Sequence, residues 1–230
     1  MKTIGLIGGM SWESTVTYYE EINRLVQKKL GGLHSAKILM YSIDFAELAA
    51  CQENDEWEKA AEMMKEAADR LERGGADLLL ICANTMHKSL PYMKEVRLPV
   101  LHIAEATAAK LNAGNVKKVG LLGTKYTMLQ DFYKEKIENA EIEVLIPEKE
   151  AVEEVNRIIY EELCCGVRKE RSKETLLKEI DKFKERGAQG VILGCTELDL
   201  LVKQKDSSLP VYDTTLIHAQ VAAEEALKEN

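Results

Sequence analysis

The sequence predicts an α/β protein of two similar lobes, each a mostly parallel sheet with helices on both faces. Two observations carry this. Short apolar runs alternate with amphipathic stretches along the whole chain. Three motifs then recur once, in the same order, more than one hundred residues later. Composition agrees: 230 residues with 46% hydrophobic and 30% charged content describe a globular chain, not a disordered one.

The apolar runs lie at residues 4–8, 36–43, 77–82, 100–103, 119–123, 142–146, 189–194 and 211–213. Gly, Pro or charge bounds most of them, as expected of strands buried on both faces of a parallel sheet. Helical patterns fill the intervals. Trp57, Ala61, Met64, Ala68 and Leu71 form one apolar stripe, with Gly74 as its C-cap. Val152, Val155, Ile159 and Leu163 form a second before Gly166, and Leu176, Ile180 and Phe183 a third, with Ser172 as the expected N-cap. Strand–helix alternation of this kind gives an α/β fold.

The repeat is read from three matches. Ile4-Gly5-Leu6-Ile7-Gly8 resembles Val119-Gly120-Leu121-Leu122-Gly123, an offset of 115. Gly75-Ala76 before a strand resembles Gly187-Ala188, offset 112, and Leu98-Pro99-Val100 resembles Leu209-Pro210-Val211, offset 111. Such a period implies duplicated lobes, not a solenoid. The expected division is residues 1–98 plus 209–230 for the first lobe and 99–208 for the second.

Charge and cysteine usage exclude several functions. A net charge of −8 argues against nucleic acid or an anionic membrane surface as partner. No uncharged run exceeds ten residues, too short to span a bilayer as a helix. No basic segment followed by a long apolar stretch opens the chain, so no signal peptide is expected. Five scattered cysteines do not form a disulfide framework, which points to a reducing cytoplasm. Neither a dinucleotide fingerprint nor a P-loop is present, and no His/Cys/Asp/Glu cluster has metal-ligand spacing. No cofactor or metal is expected.

In parallel α/β sheets, ligands sit beyond the carboxyl ends of the strands. Four such ends are chemically rich: Gly8-Gly9-Met10-Ser11, Cys82-Ala83-Asn84-Thr85, Gly123-Thr124 and Gly194-Cys195-Thr196-Glu197. Each is expected to lead into a helix whose free N–H groups favour an anion such as a small carboxylate. A thiol at such a position can have a lowered pKa and act as base or nucleophile, which singles out Cys195 and then Cys82. The repeat leaves Cys82 open. An offset of 113, matching Glu72-Arg73-Gly74 to Glu185-Arg186-Gly187, aligns Cys82 with Cys195. An offset of 112 aligns Ala83 with Cys195 instead. Neighbouring strand residues face opposite sides, so the one-residue choice matters.

These segments resemble the aspartate/glutamate racemases, cofactor-independent amino-acid racemases. The likeness runs from Ile4-Gly5-Leu6-Ile7-Gly8-Gly9-Met10-Ser11-Trp12-Glu13-Ser14 through Gly31-Gly32-Leu33-His34-Ser35-Ala36 and Asn84-Thr85-Met86-His87. It continues to Gly120-Leu121-Leu122-Gly123-Thr124 and Gly194-Cys195-Thr196-Glu197, and it is strongest to the aspartate/glutamate-specific or broad-specificity branch. The resemblance implies pseudo-twofold lobes, an active site in the cleft between them and a homodimer. It also implies two thiols, one per lobe, that exchange acid and base roles at the α-carbon. Donors at the substrate carboxylate would be Asn84, Thr85 and Thr196, with Met10, Ser11, Ala83, Thr124 and Glu197 lining the site.

The sequence departs from that pattern in three places. Ala83 stands where the family has its first-lobe thiol, with Cys82 one residue earlier. Cys164 stands where aspartate racemases carry a lysine for the side-chain carboxylate. A companion arginine falls near Leu48, where Gln52 is the polar residue on offer. The expectation is therefore an amino-acid racemase using Cys195, and Cys82 or a held water, as acid and base. The alternatives are a single-cysteine lyase or decarboxylase of the same superfamily, or a small-carboxylate-binding protein with weak catalysis.

Overall fold

The computed structural model describes residues 1–228. The chain forms two compact units: Met1–Ile103 with the stretch from His218 onward, and Ala104–Ile217. Each is built on a four-stranded parallel sheet surrounded by helices, as the alternating pattern predicts.

In the first unit the order is β1 (Ile4–Gly8), α1 (Trp12–Leu30), β2 (Ile38–Ser42), α2 (Phe45–Glu53), α3 (Trp57–Arg73), β3 (Leu78–Ile81), a 3-10 segment (Thr85–Tyr92) and β4 (Val100–Leu101). The spatial order is β2-β1-β3-β4. Residues of β1 and β3 are buried throughout, which their uninterrupted Ile/Leu content allows. On one face Ile4, Leu6, Leu78, Leu80 and Cys82 pack with Tyr18, Ile22 and Val26 of α1. The predicted stripe of α3 is buried from Trp57 to Leu71. Gly74 caps α3, and Gly75 then takes φ +93°, a left-handed value glycine adopts without steric penalty.

The second unit begins in the helix α4 (Ile103–Ala113). It continues through β5 (Lys118–Gly123), α5 (Lys125–Leu129), α6 (Asp131–Glu138), β6 (Glu143–Leu145) and α7 (Lys149–Arg157). A π-helical turn (Ile158–Glu162) and a 3-10 turn (Leu163–Cys165) follow, then α8 (Glu170–Glu185), β7 (Val191–Gly194), a 3-10 turn (Leu198–Leu200), β8 (Val211–Asp213) and α9 (Thr214–Leu227). The spatial order β6-β5-β7-β8 repeats that of the first sheet. The chain leaves the first unit in the first turn of α4 and returns to it within the first turn or so of α9.

The unit boundaries differ from those expected. The expected first lobe includes residues 209–217, yet β8 pairs with β7 in the second sheet, from Val191 opposite Val211 to Leu193 opposite Asp213. The crossings fall at Ile103 and His218 because β4 and β8 must each complete the sheet that precedes them. Ser172 is also not a cap. It lies inside α8, whose N-cap is Lys169, and its hydroxyl donates to Glu162 Oε2 at 2.6 Å.

That bond belongs to a network that shapes the second predicted stripe. The stripe over residues 152–163 is not one α-helix but passes through the π turn. Glu162 is buried, and Arg157 Nη1 at 2.8 Å and Lys169 Nζ at 3.2 Å meet its carboxylate. An arginine paired five residues ahead fits the wider π ring, a feature common at functional sites. These donors hold the Glu162 carboxyl down at about 2 despite its burial.

Two contacts make the interior sensitive to change. Gly120 faces Phe183 so closely that an added Cβ would overlap the ring. Gly120→Ala is expected to cost about 1–3 kcal/mol by overpacking, read as a lower urea midpoint, with less loss when combined with Phe183→Leu. In the first unit, His218 is buried. Its Nε2–H donates to Leu101 O at 2.8 Å, so Nδ1 accepts from the Tyr18 hydroxyl at 2.9 Å. Burial, with His87 nearby, pushes its pKa down to about 3. The unfolded chain therefore binds a proton here that the folded chain refuses between about pH 6.5 and pH 3. Stability is fully present above that window and falls as pH drops through it. His218→Gln should flatten this dependence in denaturation midpoints measured from pH 7.5 to 5.

Candidate functional site

The functional candidates gather at the carboxyl ends of the central strands in each unit. In the first unit, β1 ends at Gly8, where a Cβ would collide with Thr15. Thr15 Oγ1 accepts from Gly9 N at 2.8 Å and donates to Ser11 O at 2.9 Å, which tightens the turn onto α1. Gly9 needs its φ of +92° because Ile43 backbone crowds the side-chain position. Ser11 caps α1, its hydroxyl accepting from Ser14 N at 3.5 Å. Met10 and Ser11 are both buried here.

The neighbouring strand β3 ends in Cys82-Ala83-Asn84-Thr85. Ala83, Asn84 and Thr85 are buried where the chain turns into the 3-10 segment. Gln52 of α2 is buried, and its Nε2 lies 3.1 Å from Met86 Sδ, one residue beyond Thr85. The first unit thus brings Met10, Ser11, Ala83, Asn84 and Thr85 to adjacent strand ends, with Gln52 beside the second of them.

In the second unit the adjacent strands β5 and β7 end at Gly123-Thr124 and Gly194-Cys195-Thr196-Glu197. Thr124 caps α5 through Thr127 N at 3.3 Å. Cys195, Thr196 and Glu197 are buried together. Glu197 Oε2 accepts from Cys195 Sγ at 2.9 Å and from Thr196 Oγ1 at 2.8 Å.

Strand register decides which residue of the first unit corresponds to Cys195. Gly5 and Gly120 hold the same place in the repeated motif of β1 and β5. Gly5 lies opposite Leu79, and Gly120 opposite Val191. Ile7 opposite Ile81 matches Leu122 opposite Leu193 in the same way. The offset is therefore 112: Cys82 corresponds to Gly194, and Ala83 to Cys195. The glycines agree, since Gly75 and Gly187 both take positive φ, +93° and +86°.

This corrects two expectations. Cys82 does not join Asn84 and Thr85; it is fully buried in the apolar cluster with Tyr18, Ile22 and Ala219. Alternation along β3 puts it on the same face as Leu78 and Leu80, and burial alone pushes its thiol far up. The Cys195 thiol is not lowered either. The helix after it is a three-residue 3-10 turn, too short to favour an anion, while burial and the Glu197 carboxylate both raise its pKa.

Sequence reasoning missed part of this neighbourhood. Cys164, which stands where aspartate racemases carry a lysine, sits close enough to Cys195 to oppose its ionisation. Tyr160, on the π turn, is raised by burial and then by Cys195, Tyr126, Cys164 and Glu197. Tyr126 follows the Gly123-Thr124 turn directly, which was the available signal. Tyr160 had none, because a π turn shifts the facing expected of a regular helix. Among the described residues no group of three or more His, Cys, Asp or Glu side chains could hold a metal.

The model of the Asp/Glu/Hydantoin racemase family matches residues 7–222. A putative Asp/Glu racemase structure from Yersinia pestis is 50% identical, covers 99% of this chain and 100% of that one, and superposes with a TM-score of 0.91. An aspartate racemase homologue from Pyrococcus horikoshii OT3 is 41% identical over 99% and 100% of the two chains, with a TM-score of 0.85. A curated glutamate racemase from Hydrogenobaculum is 28% identical over 64% of this chain, which spans 56% of that protein. Unliganded arylmalonate decarboxylase shares the fold at 14% identity and a TM-score of 0.50, covering 99% and 94%. With a family model matching nearly its whole length and both strand-end clusters in place, the chain belongs to the Asp/Glu/Hydantoin racemase family, a family of isomerases.

Proposed function

We propose that the protein exchanges the α-proton of an amino acid without a cofactor, with Cys195 as the reacting group. The observation that carries this is the Cys195–Glu197 contact at the end of β7. A thiol with a raised pKa keeps its proton until a partner takes it. Glu197 is that partner: passing the Sγ proton to Oε2 leaves a thiolate, the stronger base for having a high pKa. The thiolate removes the α-proton. Asn84 and Thr85 hold the substrate carboxylate, where charge develops in the carbanion. A water at the Ala83 turn protonates the opposite face, and the hydroxide it leaves is neutralised by the proton Glu197 took. Ala83 itself carries no proton to give, so this is a one-thiol racemase. Thr196 and Thr124 supply further hydroxyls, Met10 and Ser11 the neighbouring turn.

The side chain of the substrate meets uncharged groups in this reading. Tyr160 and Cys164 lie near enough to Cys195 to interact with it electrostatically, Tyr126 lies near Tyr160, and Gln52 is the polar group of α2. Amino acids with neutral side chains should be accepted at least as well as aspartate or glutamate. The single thiol also favours a second reading, a decarboxylase in which Cys195 protonates the carbanion left by carbon dioxide.

Trp12, Val16 and Tyr19 of α1 are exposed on one helical face, and we assign that face to a second copy in a homodimer. No helix among the described residues is long and apolar enough to cross a membrane. No disulfide joins the cysteines, which suits a reducing compartment such as the cytoplasm.

Incubation with a panel of L-amino acids in D₂O should give α-deuteration without net loss of at least one of them. Cys195→Ala should lower the rate by about 10³-fold or more, and Ala83→Cys should raise it by supplying a second thiol. Unchanged exchange in Cys195→Ala would refute the mechanism, and carbon dioxide release from a malonate would favour the decarboxylase. Iodoacetamide at pH 8 should modify Cys195 more slowly than exposed Cys165. Glu197→Gln removes the charge that raises the thiol, so it should speed modification of Cys195 while slowing turnover.

A further inference from the structure

We infer that His87 is a positioning residue for the Ala83–Thr85 turn, and that it acts through one fixed neutral tautomer. The inference rests on the proposed role of Asn84 and Thr85 at the substrate carboxylate. His87 lies on the 3-10 segment and is buried, 1% exposed. Its Nδ1 is 2.9 Å from Ala83 O, and its Nε2 is 3.2 Å from Ile103 N. A backbone N–H can only donate, so Nε2 must be the bare, accepting nitrogen. A carbonyl can only accept, so Nδ1 must carry the proton. Both ends of the ring are therefore dictated by backbone, and an imidazolium would aim a proton at the Ile103 N–H.

The two atoms held this way are not arbitrary. Ala83 O belongs to the turn where this unit has alanine in the place Cys195 takes in the other. Ile103 is the first residue of α4, where the chain leaves the unit. Directly against His87 lie the rings of His102, centroids 4.6 Å apart, and of His218, 5.9 Å apart. His218 is the residue at which the chain returns, and it holds Leu101 O, the end of β4. The imidazoles thus tie the substrate-side turn to both places where the chain crosses out of and into this unit. The His87 N–H also donates to Asn84 O at 3.2 Å, a second link between this residue and the turn.

The bond to Ala83 can be separated from the bond to Ile103. Asparagine places an N–H donor where Nδ1 stands; glutamine places its amide where Nε2 stands. His87→Asn should keep α-proton exchange within about threefold of the native rate, whereas His87→Gln should lower kcat/KM about tenfold or more, with KM raised. Amide hydrogen exchange at Asn84 and Thr85 should quicken in His87→Gln and not in His87→Asn. Nitrogen-15 correlation spectra of the native protein at pH 7.5 should show His87 protonated at Nδ1 alone. A proton on Nε2, or equal losses in both variants, would overturn the inference. The tautomer and amide readings need no turnover, so absence of α-exchange in the native protein would count against the proposed function and leave these two to decide the brace. The tautomer reading also stands if a variant fails to fold, since that spectrum is taken on the native chain.

Discussion

Parallel pairing of the two central strands governs everything built on each sheet. In a parallel ladder the backbone bonds fix register residue by residue, and the side chains that follow the last pair emerge at one edge. Gly5 opposite Leu79 and Gly120 opposite Val191 set that register in the two units. From it follows that Ala83 and Cys195 hold equivalent places, and that Cys82 points with Leu80 into an apolar cluster. A one-residue slip would exchange a buried thiol for an accessible one and destroy the core contact at the same time.

The repeated frame has been filled with different chemistry. Applying each strand's offset, Tyr18 corresponds to Tyr133, His218 to Thr107, and His102 to Asp213. Both tyrosines are fully buried, one against His218 and one against Thr107. The first unit thus braces its strand ends with imidazoles, of which His218 is kept neutral by burial. The second carries carboxylates in the same region: Asp213, buried and near Asp199, is raised to about 6 while its side chain accepts from Thr215 N and Leu216 N. A histidine brace can be donor and acceptor at once, which a carboxylate cannot.

Around Cys195 the same economy appears. Burial and the Glu197 carboxylate both raise the thiol, and in the proposed mechanism that carboxylate is also the group that takes its proton. Tyr160 beside it lies on the π turn whose last residue, Glu162, is held by Arg157, Lys169 and Ser172.

The sequence by itself determined the fold class, the strand ends at which chemistry is gathered, and Cys195 with its Thr196-Glu197 neighbours. Those features are local: apolar runs, glycines that permit close approach, and polar residues directly after a strand. Tertiary structure decided the rest. Whether Cys82 or Ala83 matches Cys195 turned on one extra glycine in a loop, which only inter-strand hydrogen bonds resolve. The unit boundary moved because β8 finds its partner in β7, a pairing that a proline motif does not encode. The Cys195 pKa is raised because folding buries the thiol and turns the Glu197 carboxylate back onto the sulfur. Register, partner choice and burial arise between segments distant in the chain, and no reading of neighbours along it contains them.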